Sequence, residues 1–103
     1  MIRAEFFSRA GEPAGFCIGG HSGEAGSAVV CAAVSSAAYL AANTVTDVIG
    51  AKAGVSAAEG RMSCRIPPES AARCRDILLG LEAHLNGLKD QYPGEIEVIH
   101  TEV

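Results

Sequence analysis

Apolar and polar residues alternate at the start of the chain, which is the pattern of a half-exposed strand. Ile2, Ala4 and Phe6 share one face of residues 2–9. A turn containing glycine and proline is expected at residues 10–13. Residues 14–20 then carry Phe16 and Ile18 on one face of a second strand, so the two strands are predicted to form a hairpin.

Residues 29–49 are predicted to form a helix because alanine, the best helix former, recurs throughout the segment. Gly50 is expected to end it. No charge occurs from Ala28 to Thr46, a run long enough to cross a bilayer. Its alanine, serine, asparagine and threonine give little transfer free energy, so we expect a buried helix and no membrane partner. One stripe should face the core: Cys31, Val34, Ser35, Ala38, Ala42, Val45 and Ile49.

The second half of the chain is also predicted to begin with a hairpin that is followed by a helix. Alternation around Val55 and again over residues 62–66 predicts another hairpin. Proline and glutamate at 67–69 are expected to open a second helix, which ends near Tyr92, and a last strand should begin at Ile96. The order ββαββαβ predicts one α+β domain over residues 1–103, with a mixed or antiparallel sheet and two helices packed on one face.

Composition narrows the function classes. The net charge of −4, with only 8 basic residues, argues against direct nucleic-acid binding. The four cysteines form no CxxC pair and no zinc spacing, so we expect reduced thiols, no metal and no cofactor. The first residues lack the pattern of a signal peptide, which favours a cytoplasmic location.

The chemistry is expected between Gly19 and Ser36. Glycine occurs at 20, 23 and 26 in a loop that carries His21 and leads into the helix with Cys31. A thiol in the first turn of a helix lies near unbonded amides and the positive end of the dipole, which favour the thiolate. His21 is then a candidate base for Cys31. Amides of the loop and helix start are candidates for an oxyanion hole, and the residues expected to support substrate, loop and oxyanion are Gly20, Ser22, Gly23, Ser27 and Ser35.

Other interpretations of these residues stay open. A cysteine in an alanine-rich helix is often simply a small buried apolar residue. A glycine-rich loop before a helix also binds phosphates, although the glycines here do not spell G-x-G-x-x-G and no lysine follows Gly26-Ser27. The alternative function is therefore a peptide- or anion-binding module without chemistry.

The stretch Gly-Gly-His-Ser-Gly, the glycine-rich loop and Val-Val-Cys-Ala-Ala-Val-Ser resemble the signature of the bacterial ribosomal-processing cysteine proteases, the Prp family. The resemblance implies that His21 is the general base, that Cys31 is the nucleophile, and that Ser35 lies beside the active site. It implies a cysteine endopeptidase that removes the N-terminal extension of a large-subunit ribosomal protein, and a homodimer. The alternative that stays open beside it is a non-catalytic protein associated with the ribosome.

The chain departs from the family pattern at one position. Ala28 stands where the family usually has an aspartate, three residues before the cysteine. Any role of that acid in capping the helix or tethering the loop would fall here to Ser27 or Glu24, or to no residue. We also expect residues 22–27 to be mobile in the free protein and to be ordered by the correct peptide.

Overall fold

The computed structural model describes residues 1–20 and 27–103. It contains five strands and two helices in the predicted order ββαββαβ. The elements are β1 (Ile2–Arg9), β2 (Glu12–Gly19), α1 (Ser27–Asn43), β3 (Gly54–Ala58), β4 (Arg61–Arg65), α2 (Ala71–Gln91) and β5 (Ile96–Glu102).

The strands form one mixed sheet in the order β3-β4-β2-β1-β5. β1 pairs antiparallel with β2 and parallel with β5, while β4 pairs antiparallel with both β2 and β3. Alternate residues of β1 are buried beneath the helices, as the period of two predicts. The α+β prediction is therefore confirmed.

The core lies between this sheet and the two helices. Two buried aromatic rings, Phe6 and Phe16, contribute to it with ring centroids 6.3 Å apart, and the partly buried Tyr92 packs against it. Small and branched residues fill the rest, which lets α1 and α2 lie close to the sheet. The largest fully buried side chains are Phe16, Leu85, Val30, Val45, Cys64 and Cys74.

The buried stripe of α1 differs from the predicted one. Cys31 is only half-buried and Ser35 is exposed, so both lie at the margin of the stripe. The helix face directed at α2 and the sheet is rotated toward Val30 and Ala41, which the prediction omitted. The buried residues are Val30, Val34, Ala38, Ala41, Ala42 and Val45.

The bounds of α1 also differ from prediction. The helix begins at Ser27 rather than residue 29, so Cys31 lies in the second turn and not the first. The helix ends earlier too, because Thr44–Val48 form a π-helical turn. Thr44 Oγ1 donates to the carbonyl of Leu40 at 2.7 Å. Hydroxyls that bond back to carbonyls in this way compete with regular helix geometry.

By length and composition, one helical segment among the described residues, Ala28–Val48, could cross a membrane. Its mean hydropathy reaches 1.6. Val30, Val34 and Val45 from this segment are nonetheless buried in the core against the rest of the domain. The core helix of a globular domain passes the same test of length and composition, and 33% of this apolar stretch is buried within the domain.

A buried thiol gives the fold a pH dependence. Burial, followed by the neighbouring Cys74, raises the pKa of Cys64 from 9.0 to about 11. The unfolded chain therefore loses this proton first as the pH rises. The stabilising contribution is complete below pH 9.0 and is lost towards pH 11, a decrease of roughly 2 to 3 kcal/mol in the free energy of unfolding.

Urea unfolding at about pH 8, below the unfolded pKa, and at about pH 10.5, well into the interval, measures most of this decrease. Cys64→Ala is the control, because it removes the titrating thiol while all tyrosines and lysines remain. We expect a smaller loss of stability over this interval in Cys64→Ala than in the wild type. Equal losses in the two proteins would contradict the assignment to Cys64.

Candidate active site

A cleft of about 380 Å³ opens between α1 and the turn that joins β3 to β4. Apolar side chains from both helix and sheet form much of its lining, while the turn contributes Glu59 and the start of β4 contributes Arg61. The described residues that line it are Ile2, Ile18, Gly19, Gly20, Cys31, Val34, Ser35, Ala38, Tyr39, Ala58, Glu59, Gly60, Arg61 and Met62. The cleft is thus partly apolar with charged groups on one wall.

Cys31 lies in the wall of this cleft and is half-buried, so its thiol is sheltered but within reach of a ligand. The four cysteines form no disulfide. Since α1 begins at Ser27, the amides that lack an intrahelical acceptor belong to the turn before Cys31. The thiol and the amide-rich helix start therefore lie one turn apart.

Ser35 lines the same cleft one helical turn after Cys31, as the spacing predicts. Tyr39 continues this row by another turn. The row places a thiol, a hydroxyl and a phenol along one side of the cleft. Sequence reasoning identified the first two members and missed Tyr39, although its spacing of four from Ser35 was a signal that could have found it.

Gly20 adopts a conformation that favours glycine, with φ at +95°. A Cβ atom there would lie 2.5 Å from the carbonyl oxygen of Met1. The amide of Gly20 donates to the carbonyl of Gly60 at 3.2 Å, which ties the end of β2 to the β3–β4 turn. This bond holds Gly20 in the wall of the cleft, and its role in supporting substrate or oxyanion stays a prediction.

Several expected site residues lie outside the described part of the chain: His21, Ser22, Gly23 and Glu24. Ser27 begins α1, and its side chain is likewise not described. The pairing of His21 with Cys31 stays a prediction, as does the expected mobility of residues 22–27. Ala28 is exposed in the first turn of α1, and that turn contains no acidic residue.

The two histidines within residues 27–103 do not line the cleft. His84 is exposed on α2 beside the groove between the helices. His100 bonds to Ser8 and Glu82 at the other end of β1. As a second histidine that could act as a base, His100 lies among residues that do not line the cleft with Cys31.

The contribution of the β3–β4 turn was missed from sequence. The local sequence Glu59-Gly60-Arg61 is typical of an ordinary hairpin turn. Their position opposite Cys31 depends on β4 pairing with β2, whose end borders the cleft. The pairing of β4 with β2 cannot be predicted from the sequence of either strand alone.

The fold matches solved structures over nearly all of its length. SMU.848 from Streptococcus mutans has 23% sequence identity and a TM-score of 0.86, covering 100% of this chain and 99% of that one. The ribosomal processing protease Prp from S. aureus in complex with a substrate peptide has 18% identity and a TM-score of 0.88, covering 97% and 99%. Its complex with a covalently linked product peptide has 16% identity and a TM-score of 0.83, with the same coverage.

A half-buried thiol in the wall of a cleft, one turn from the start of a helix, is an arrangement suited to nucleophilic catalysis by cysteine. The family model described as Cysteine protease Prp matches residues 1–97. The chain therefore belongs to the Prp family of cysteine proteases, which confirms the resemblance drawn from Gly19–Ser36. Among curated protein sequences, none gives a significant match.

Proposed function

We propose that this protease removes the N-terminal extension of a large-subunit ribosomal protein, with Cys31 as nucleophile and His21 as base. The observation that carries the proposal is the position of Cys31 in the wall of an open cleft lined by residues of α1 and the sheet. The S. aureus protease of the same fold is described as a ribosomal processing protease and binds a substrate peptide. Its covalently linked product peptide is the species that a nucleophilic mechanism produces.

The proposed reaction proceeds in two steps. The Cys31 thiolate attacks the scissile carbonyl carbon, and the amine leaves with a proton from the His21 imidazolium. Water then attacks the thioester, with His21 taking its proton, and releases the acid and Cys31. Amides from the first turn of α1, one turn before Cys31, are the proposed donors to the oxyanion.

The cleft favours a particular kind of peptide. Ile2, Ile18 and Met62 offer apolar contacts to an apolar or aromatic side chain of the substrate. Glu59 supplies a carboxylate at the β3–β4 turn, and the net charge of −4 favours encounter with a basic ribosomal protein. We place the reaction in the cytoplasm, where ribosomal proteins are made and thiols stay reduced.

The substrate assignment is tested with the large-subunit ribosomal proteins of the same genome. Any that carries an N-terminal extension with an apolar, aromatic segment is purified and incubated with the protease, and mass spectrometry maps the new N-terminus. We expect a single cut that removes the extension. A matched ribosomal protein lacking the extension is the control. If the extended protein stays intact, or if the genome encodes no such protein, the substrate proposal is wrong.

We further propose that the protein is a homodimer formed through its helices. The face of the sheet that the helices leave open is polar: Arg3 and Glu97 approach to 4.0 Å, and Thr101 donates to Glu5 at 2.6 Å. The apolar surface lies on the helices instead. Leu40 is 65% exposed beside a groove of about 400 Å³ that contains Ala33, Ala37 and Gly80.

Small residues in a groove between helices admit close approach of another helix, and Leu40 of a second copy has the size and polarity to occupy it. Leu40→Glu should convert a dimer of 10.5 kDa chains to monomers in sedimentation at tens of micromolar. Val55→Glu, at another exposed apolar position on β3, should remain dimeric. A wild-type protein that sediments only at 10.5 kDa would contradict the proposal.

A further inference from the structure

Three polar side chains are joined in a row at the end of the sheet remote from Cys31. Ser8 Oγ lies 2.5 Å from Nε2 of His100, and Nδ1 of His100 lies 3.3 Å from Oε2 of Glu82. The residues come from three elements: β1, β5 and α2. The parallel register pairs Phe6 with His100 and Ser8 with Glu102, so Ser8 and His100 are diagonal neighbours on the helix-covered face.

The order hydroxyl, imidazole, carboxylate is that of a serine hydrolase triad. In the tautomer that carries the proton on Nδ1, His100 donates to Glu82 and accepts the Ser8 hydroxyl proton at Nε2. Ser8 is 9% exposed, and the side chain of Glu82 is 23% exposed. The serine is therefore mostly shielded from water, and the carboxylate is placed to orient the imidazole.

A cavity of about 320 Å³ lies against this row of side chains. Phe6, Pro13, Leu78 and Leu79 give it apolar walls, and Arg75 supplies a cation. One guanidinium nitrogen of Arg75 is held by Glu12 at 2.8 Å, which leaves its other N–H groups for a ligand. The size and lining suit a short apolar acyl group joined to a polar carbonyl.

This cavity is separate from the protease cleft. The two share none of their lining residues. Ile2 borders the cleft and Ser8 borders the cavity at opposite ends of β1, which corresponds to roughly 20 Å along an extended strand. Cys31 therefore cannot act on a ligand held at Ser8.

We propose that Ser8, His100 and Glu82 form a second hydrolytic site, for short esters of apolar carboxylic acids. Ser8 Oγ bonds to the ester carbonyl carbon while its proton passes to Nε2 of His100. The C–O bond to the alcohol then breaks, and the alcohol leaves with that proton. Water hydrolyses the acyl-serine through the same base and restores Ser8. Glu82 is a positioning residue, and Arg75 is the source of positive charge for the oxyanion.

The test uses the full chain carrying Cys31→Ala, so that the protease thiol cannot react with the probes. A short-chain alkyl fluorophosphonate should label Ser8, located by peptide mass spectrometry. The same protein should release p-nitrophenol from p-nitrophenyl butyrate. His100→Gln should slow this release about 100-fold, because the general base is lost. Absence of the Ser8 adduct would overturn the proposal even without a further variant.

Ser8→Ala and Glu82→Gln complete the design. Ser8→Ala should abolish ester turnover, and in a chain that keeps Cys31 it should leave peptide cleavage unchanged, which shows that the fold is intact. Glu82→Gln should lower kcat with KM unchanged, since the acid orients His100 and does not hold the ester. Release of p-nitrophenol that is insensitive to Ser8→Ala would show that the hydrolysis occurs elsewhere and would overturn the assignment.

Discussion

Replacing Cys31 with alanine is expected to eliminate peptide cleavage, with a loss in kcat on the order of 10⁴-fold or more. The thiol forms the covalent bond in the proposed reaction, and neighbouring Ser35 cannot replace it because an unactivated hydroxyl is a poor nucleophile at neutral pH. Cys31 is half-buried at the margin of the core, so removing its sulfur should change stability little. Cleavage of the extended ribosomal protein and thermal unfolding of both proteins measure these effects.

Cys17→Ala is the matched control for this experiment. Cys17 is also a half-buried cysteine, but it lies on β2 and is not among the residues that line the cleft with Cys31. We expect Cys17→Ala to cut at a rate close to that of the wild type. Burial raises the pKa of both Cys64 and Cys74, so neither is a substitute nucleophile near neutral pH. Cleavage by Cys31→Ala would exclude Cys31 as the nucleophile.

Much of the fold follows from local patterns in the sequence. The alternation of Ile2, Ala4 and Phe6 identified β1 with its observed bounds, and Pro67–Glu69 marked the approach to α2. The pairing of β5 with β1 could not be read in this way. It depends on the long connection through α2 and on burial of Ile96 beside Ile2, and neither leaves a trace in the pattern of β5 alone.

The candidate site likewise has features that the sequence predicts and features that only the folded chain shows. Cys31 and Ser35 share one side of a helix at a spacing of four, so their proximity was predictable. The side of α1 that faces the core could not be predicted as well, because nearly every residue of an alanine-rich segment is small enough to be buried. The row from Ser8 to His100 joins residues 92 positions apart in sequence, and only the finished sheet brings them together.

Gly15→Ala is expected to destabilise the protein by about 3 kcal/mol or more. Gly15 lies in β2 with φ at +140°, and a Cβ atom there would lie 2.1 Å from the carbonyl oxygen of Cys64 in β4. β2 is paired on its other side with Phe7 of β1, so the strand cannot move away without breaking that ladder. The substitution therefore combines a backbone conformation unfavourable for alanine with a clash against main-chain atoms.

Gly19→Ala in the same strand is the control. Its added Cβ would have the carbonyl oxygen of Gly60 as nearest atom, at 3.4 Å, and its φ does not lie in the region that favours glycine. We expect a change of less than about 1 kcal/mol there, while Gly15→Ala lowers the melting temperature by more than about 10 °C. If both variants melt alike, the close approach of β2 to β4 is not what requires glycine at position 15. That pairing also shapes the cleft, because the end of β2 at Gly19 and the start of β4 at Arg61 lie side by side in the wall that faces α1.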